Sequence, residues 1–275
     1  MTNTTTRTIM GLATAVLVAG CHDASTSPSS SGNPQSLDLA PILGQMSVGN
    51  VNSIPGASSA MSLPATATPP AVVPSACTYS ASTAGFTCPS VTVDGLTFKT
   101  SYFLYDASGH SQSHPDAATT ASVRTVTDGS GTLTFSAAQP SGPAASGTIG
   151  LTDHEDMTLS GLLTATRTLN GTGTGHLDLT VGGGTPLHSL LDRTSTTSNV
   201  VMPAQTTGAS AWPQSGTITS DVTLTPNAST PALTVPIHSV ITFNGTSIVT
   251  ITTSASVFST TCKIDLSGKT PPVCS

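Results

Sequence analysis

CTYSASTAGFTCPSVTVDGLTFKTSYFLYD, residues 77–106, decides the fold. Its β-branched and aromatic residues come in short runs bounded by turn formers. Asp94-Gly95 supplies a pair that accepts positive φ at both central positions of a tight hairpin. Two cysteines flank the first run. The stretch therefore reads as the opening strands of an antiparallel sheet, and the rest of the chain repeats its pattern.

Further two-residue turn signals stand at Asp128-Gly129, Asn170-Gly171 and Asn244-Gly245. Each is expected to close a hairpin, because Asn or Asp followed by Gly adopts the type I′ turn at least cost. A turn at Asn170-Gly171 sets Leu169 opposite Thr172 and Leu162 opposite Leu179. Leu162, Leu177, Leu179 and Val181 then share one face, with His176, Asp178 and Thr180 on the other. A turn at Asn244-Gly245 sets Ile241 opposite Ile248 and Val240 opposite Val249, with apolar residues on both faces. No segment sustains helical periodicity. Thr185 to Arg193 (TPLHSLLDR) has the most helical character, but it is short and equally compatible with a strand. Gly-Thr strand starts recur without a fixed period, which argues against a solenoid. About ten strands are expected, more than one flat sheet carries without curling or splitting. The fold class is all-β: an antiparallel, hairpin-rich β-sandwich or a strongly curved, barrel-like sheet over residues 76–275.

Upstream of this domain the composition changes. Arg7 precedes the apolar run Ile9 to Gly20, too short to span a bilayer as a mature helix and suited to a signal peptide over residues 1–20. Residues 21–75 are rich in Ser, Pro and Ala and read as a disordered linker, with Leu37 to Met46 (LDLAPILGQM) as a brief apolar patch. The run ends in Leu17-Val18-Ala19-Gly20-Cys21, which resembles the lipobox of bacterial lipoproteins. That resemblance implies cleavage before Cys21 and acylation of its thiol and new amino group, so the membrane is a partner through the lipid anchor. His22 stands where the commonest inner-membrane retention signal has Asp, and the resemblance thus points to the outer membrane of the bacterial envelope.

Four cysteines remain: Cys77, Cys88, Cys262 and Cys274. An even number in an exported chain implies disulfides. The local pairs Cys77–Cys88 and Cys262–Cys274 are expected, with a first-strand to last-strand pairing as the alternative. No C-x-x-C or Cys-His knuckle suggests zinc.

Charged residues make up only 7% of the chain and the formal net charge is −6. Without the leader's Arg7 it is 6 − 13 = −7, with no run of either sign. Nucleic acid is excluded as a partner, since it needs clustered Lys or Arg. Histidines at 110 and 114 with Asp116 are the best metal-ligand constellation, yet Gly109 and Pro115 make this a loop, where H-x3-H spacing loses its meaning. A polar hairpin tip is the expected reading, and no cofactor is implied. His154-Glu155-Asp156 is expected at a solvated turn or strand end; on a strand, His154 and Asp156 share a side and Glu155 does not. His176, His188 and His238 read as satisfied sheet histidines, and Trp212 as a strand-edge core residue. Neither a G-x-S-x-G elbow nor an S-x-x-K pair is present. The functional expectation is a lipid-anchored envelope protein whose β domain binds another envelope component or has a structural role. The alternatives are a carrier of lipid or another apolar ligand, and a metal-assisted hydrolase using His110, His114 and Asp116.

Overall fold

A computed structural model describes residues 73–139, 142–182, 187–203, 212–225, 234–256, 258–266 and 273–275. The expected signal peptide, Cys21, the expected linker and the Leu37–Met46 patch lie outside these residues. Fourteen strands form one antiparallel sheet that curves without closing into a barrel. They are β1 (Thr78–Ser80), β2 (Gly85–Thr87), β3 (Val91–Val93), β4 (Leu96–Tyr105), β5 (Ser111–Gln112), β6 (Ser122–Gln139) and β7 (Gly142–Ser160). After these come β8 (Thr166–Gly182), β9 (Leu187–Pro203), β10 (Ser215–Thr225), β11 (Val235–Thr242), β12 (Ile248–Ala255), β13 (Phe258–Asp265) and β14 (Val273–Cys274). From β6 onward each strand pairs with its sequence neighbour. The sheet is thus a simple meander. No helix occurs among the described residues.

β6 to β9 are 17–19 residues long, about 60 Å at 3.3 Å per residue. They are longer than the turn signals predict because two of the four expected turns do not exist. Asp128-Gly129 lies inside β6, where Gly129 makes room for an aromatic ring: a Cβ there would stand 2.9 Å from Cε1 of Phe98. Asn170-Gly171 lies inside β8 and marks a β-bulge. Leu169 pairs with Val200 but Gly171 with Thr197, so one residue opposes two. Asn199 takes a positive φ of 49°, and its N–H donates to Asn170 Oδ1 at 2.7 Å. A Cβ on Gly171 would collide with the Asp156 carbonyl. The true β7–β8 turn is at 161–165, with Gly161 at φ 79°.

At Asn244-Gly245 the turn exists but is wider than two residues. Ile241 opposes Ile251 and Val240 opposes Thr252. The shift leaves Ile248 45% exposed and buries Val249 completely. Only Asp94-Gly95 forms the two-residue hairpin expected, pairing Val93 with Leu96 at φ values of 52° and 87°. The candidate helix also fails: Leu187 onward is strand β9, and Thr185 and Pro186 lie outside the described residues. β-sheet pairing on both sides overrides weak local helical preference.

Both sheet edges are short strands stapled by disulfides. Cys77–Cys88 closes the β1–β2 region, and Cys262–Cys274 links directly opposed residues of β13 and β14. These are the local pairings expected. β4 would otherwise expose its outer edge, but β3, the Cys88 N–H on the Thr100 carbonyl (3.0 Å), β2 and β5 cover it in succession. Small stapled pieces at the margins block edge-to-edge association.

One face of the sheet is turned inward. At one end of the strands Phe86, Leu104, Val123, Met157, Leu159, Leu169, Val200, Ile218, Ile241, Val249, Ile251 and Ile264 form the core. Val73, the first described residue ahead of β1, packs into the same cluster.

Candidate functional site

The pairing register defines rows of side chains running across the sheet, and two of these rows are chemically distinctive. On the inner face, Thr127, Glu155, Gly173, Ser195, Ser220, Ser239 and Thr253 stand opposite one another on successive strands from β6 to β12. This polar belt is buried: Glu155 is 3% exposed, Thr253 3% and Ser220 5%. Neighbouring hydroxyls satisfy one another, as Ser239 Oγ and Thr253 Oγ1 do at 3.1 Å. On one side of the belt lies the core. On the other, Leu151, Leu177, Leu191, Leu224 and Val235 form a half-buried apolar row.

At the centre of the belt Arg193 of β9 reaches over β8 to two carboxylates on β7. Its Nη2 donates to Asp153 Oδ1 at 2.9 Å and to Glu155 Oε1 at 2.6 Å. The strand in between would block this path if it carried side chains there. Gly173 and Gly175 clear it: a Cβ at 173 would fall on the Glu155 carboxylate, and one at 175 would stand 3.0 Å from Asp153 Oδ1. The side chains of Arg193, Asp153 and Glu155 are 12%, 18% and 4% exposed. Burial pushes both carboxyls above their ordinary range, against the opposing pull of the guanidinium. Two acids and one base make this a buried group with a formal excess of negative charge.

The expectation of a solvated turn at residues 154–156 is therefore wrong. Strand alternation sends His154 and Asp156 outward and Glu155 inward as anticipated, but the segment is mid-strand and Glu155 is enclosed by the curved sheet. Arg193, in the middle of β9, carries no local motif. The available signal was the pattern Gly173-x-Gly175, which leaves a strand bare on one face.

On the outer face, histidines pair with aspartates across strands. Nδ1 of His154 meets Asp128 Oδ1, Nδ1 of His176 meets Asp192 Oδ1, and Nδ1 of His238 meets Asp221 Oδ1, all at 2.7 Å. His188 uses Nε2 on Asp178 at 2.9 Å. His176, His188 and His238 are thus satisfied sheet histidines, as the sequence suggests. Asp156 accepts two hydrogen bonds from Arg124, at 2.7 and 2.6 Å, which hold its carboxyl below the ordinary range. The same guanidinium lies 5.3 Å from the centre of the Phe103 ring.

The loop histidines do not converge. His110 Nδ1 contacts Asp106 Oδ2 at 3.2 Å, His114 Nδ1 lies 3.5 Å from Ser113 Oγ, and Asp116 Oδ1 accepts from the Ala118 N–H at 2.7 Å. Each is spent on a local turn contact. Among the described residues no three His, Cys, Asp or Glu side chains gather to hold a metal ion. Cys21 lies outside the described residues. Trp212 is half-buried just before β10. No family model, no curated protein and no solved structure matches the chain.

Proposed function

We propose that this protein is a lipid-anchored component of the bacterial envelope, held at the outer membrane through Cys21, whose β domain works by binding. The lipobox-like Leu17–Cys21 supports the anchor. The position of Val73 supports the orientation: this residue, on the side of β1 nearer Cys21 in sequence, packs at the end of the strands that holds the compact core. The opposite end, where β6–β7 and β8–β9 turn, then faces away from the membrane. Replacing Cys21 with Ala is expected to abolish labelling by radioactive palmitate and to release the protein from the membrane fraction. Labelling that persists would overturn the anchor.

A second reading, a carrier for an apolar ligand, is favoured by the row Leu151, Leu177, Leu191, Leu224 and Val235 beyond the polar belt. Such a site would seat an acyl chain on the leucines and a polar head at the belt. Mass spectrometry of lipid extracted from the purified protein tests it. A stoichiometric lipid lost on Leu177→Lys supports the carrier, and its absence from the unaltered protein refutes it. The hydrolase alternative has no support from the positions of His110, His114 and Asp116.

A further inference from the structure

The outer-face histidines are arranged in a way that pairing alone does not require. Thr152 opposes His176 and His154 opposes Thr174, so His154 and His176 are diagonal neighbours on adjacent strands and the same face. Such positions lie about 7–8 Å apart, within reach of two long side chains closing on one atom. Each ring is held at Nδ1 by a carboxylate from the strand beyond it, Asp128 of β6 and Asp192 of β9. That contact fixes the ring and leaves Nε2 as the second nitrogen. The four residues form a line across β6, β7, β8 and β9, with the acids outside and the imidazoles inside. Both histidines are accessible, at 48% and 44% exposure.

We propose that His154 and His176 form a binding site for a divalent transition-metal ion, with Asp128 and Asp192 as supporting carboxylates. Metal-bound histidines characteristically donate their other ring N–H to a carboxylate, which sets the tautomer and raises the basicity of the ligating nitrogen. Here that support is in place for two rings at once. Two imidazoles favour Zn2+, Ni2+ or Cu2+ over Mg2+ or Ca2+, which prefer oxygen. Water completes the coordination, since among the described residues no third protein ligand converges. His238 with Asp221 is the internal contrast: it has the same carboxylate contact, but its partner strands β10 and β12 carry no histidine. The site is independent of the lipid anchor and of the inner-face reading.

The test is calorimetric titration of the purified full-length protein with Zn2+ and, separately, Ni2+ at pH 7.5. One ion per chain is expected, with binding abolished by His154→Ala or His176→Ala. Asp128→Asn or Asp192→Asn is expected to weaken it about 10–100-fold, the usual effect of losing a supporting carboxylate. Circular dichroism checks that each variant keeps its strands. His238→Ala and the double variant His110→Ala/His114→Ala are expected to bind as the unaltered protein does. No binding at millimolar Zn2+ and Ni2+, binding that survives His176→Ala in a folded protein, or binding lost with His110 and His114 would each overturn the proposal.

Discussion

Replacing Arg193 with Met tests whether the inner belt is organised around a buried charge cluster. Met keeps much of the length and apolar volume of the side chain but removes the guanidinium, leaving Asp153 and Glu155 without their cation. Both acids are largely enclosed, at 18% and 4% exposure, so water replaces the lost partner poorly. Breaking a buried pair of this kind costs about 3–5 kcal/mol. With a urea dependence of about 2 kcal/mol per molar, the midpoint should fall by about 1.5–2.5 M. The loss should depend on pH in a definite direction. Both carboxyls are already raised by burial in the folded state, so folding takes up protons. Their contribution is fully present below the unfolded carboxyl pKa and is lost as pH rises through the raised folded value. Arg193 pulls both values down, and removing it widens that window and deepens the loss at neutral pH. Urea unfolding with the disulfides intact, at pH 7 and pH 4, should therefore show the full destabilisation at pH 7 and a much smaller one at pH 4. Adding Asp153→Asn and Glu155→Gln should recover most of the stability at pH 7. Equal destabilisation at both pH values, or a loss under about 1 kcal/mol as in an exposed pair, would refute the reasoning.

Gly173→Ala should also destabilise at pH 7, by more than the few tenths of a kcal/mol usual for a surface change, because its methyl group displaces the Glu155 carboxylate. Thermal unfolding of this variant beside Gly150→Ala, whose nearest contact would be an ordinary 3.5 Å, separates the steric effect from backbone entropy. Cys262→Ala with Cys274→Ala should cost about 3 kcal/mol from loop closure, measured by urea unfolding without reductant. Light scattering should show association as the β13 edge opens. Arg124→Ala should cost up to about 1 kcal/mol at neutral pH, given side chains 41% and 27% exposed. Because Arg124 holds Asp156 below the ordinary carboxyl range, the contribution is present above the unfolded pKa and disappears as pH falls through the lowered folded value. A loss on Arg124→Ala that does not shrink as pH falls below the ordinary carboxyl range would contradict that assignment.

Much of this molecule is a direct consequence of local sequence. Alternation of apolar and polar residues survives even where the turn is misplaced: Leu177, Leu179 and Val181 share a face opposite His176, Asp178 and Thr180 although Asn170-Gly171 is no turn. The period of two belongs to the extended backbone itself. Asp94-Gly95 makes its hairpin for the same local reason, and cysteines close in sequence join neighbouring strands. What glycine does at positions 129, 171, 173 and 175 was decided elsewhere in the chain. Its lack of a side chain serves a turn, a bulge or a passage for a distant residue equally well, and only the Phe98 ring, the Asn199 bulge and the Arg193 side chain choose among them. The charge cluster of Arg193 with Asp153 and Glu155, and the diagonal of His154 and His176, likewise exist only through pairing register. Sequence by itself determined an all-β chain with two faces; tertiary structure decided which residues meet, because contact across strands depends on where each hairpin turns, and a few residues' shift there changes every partner.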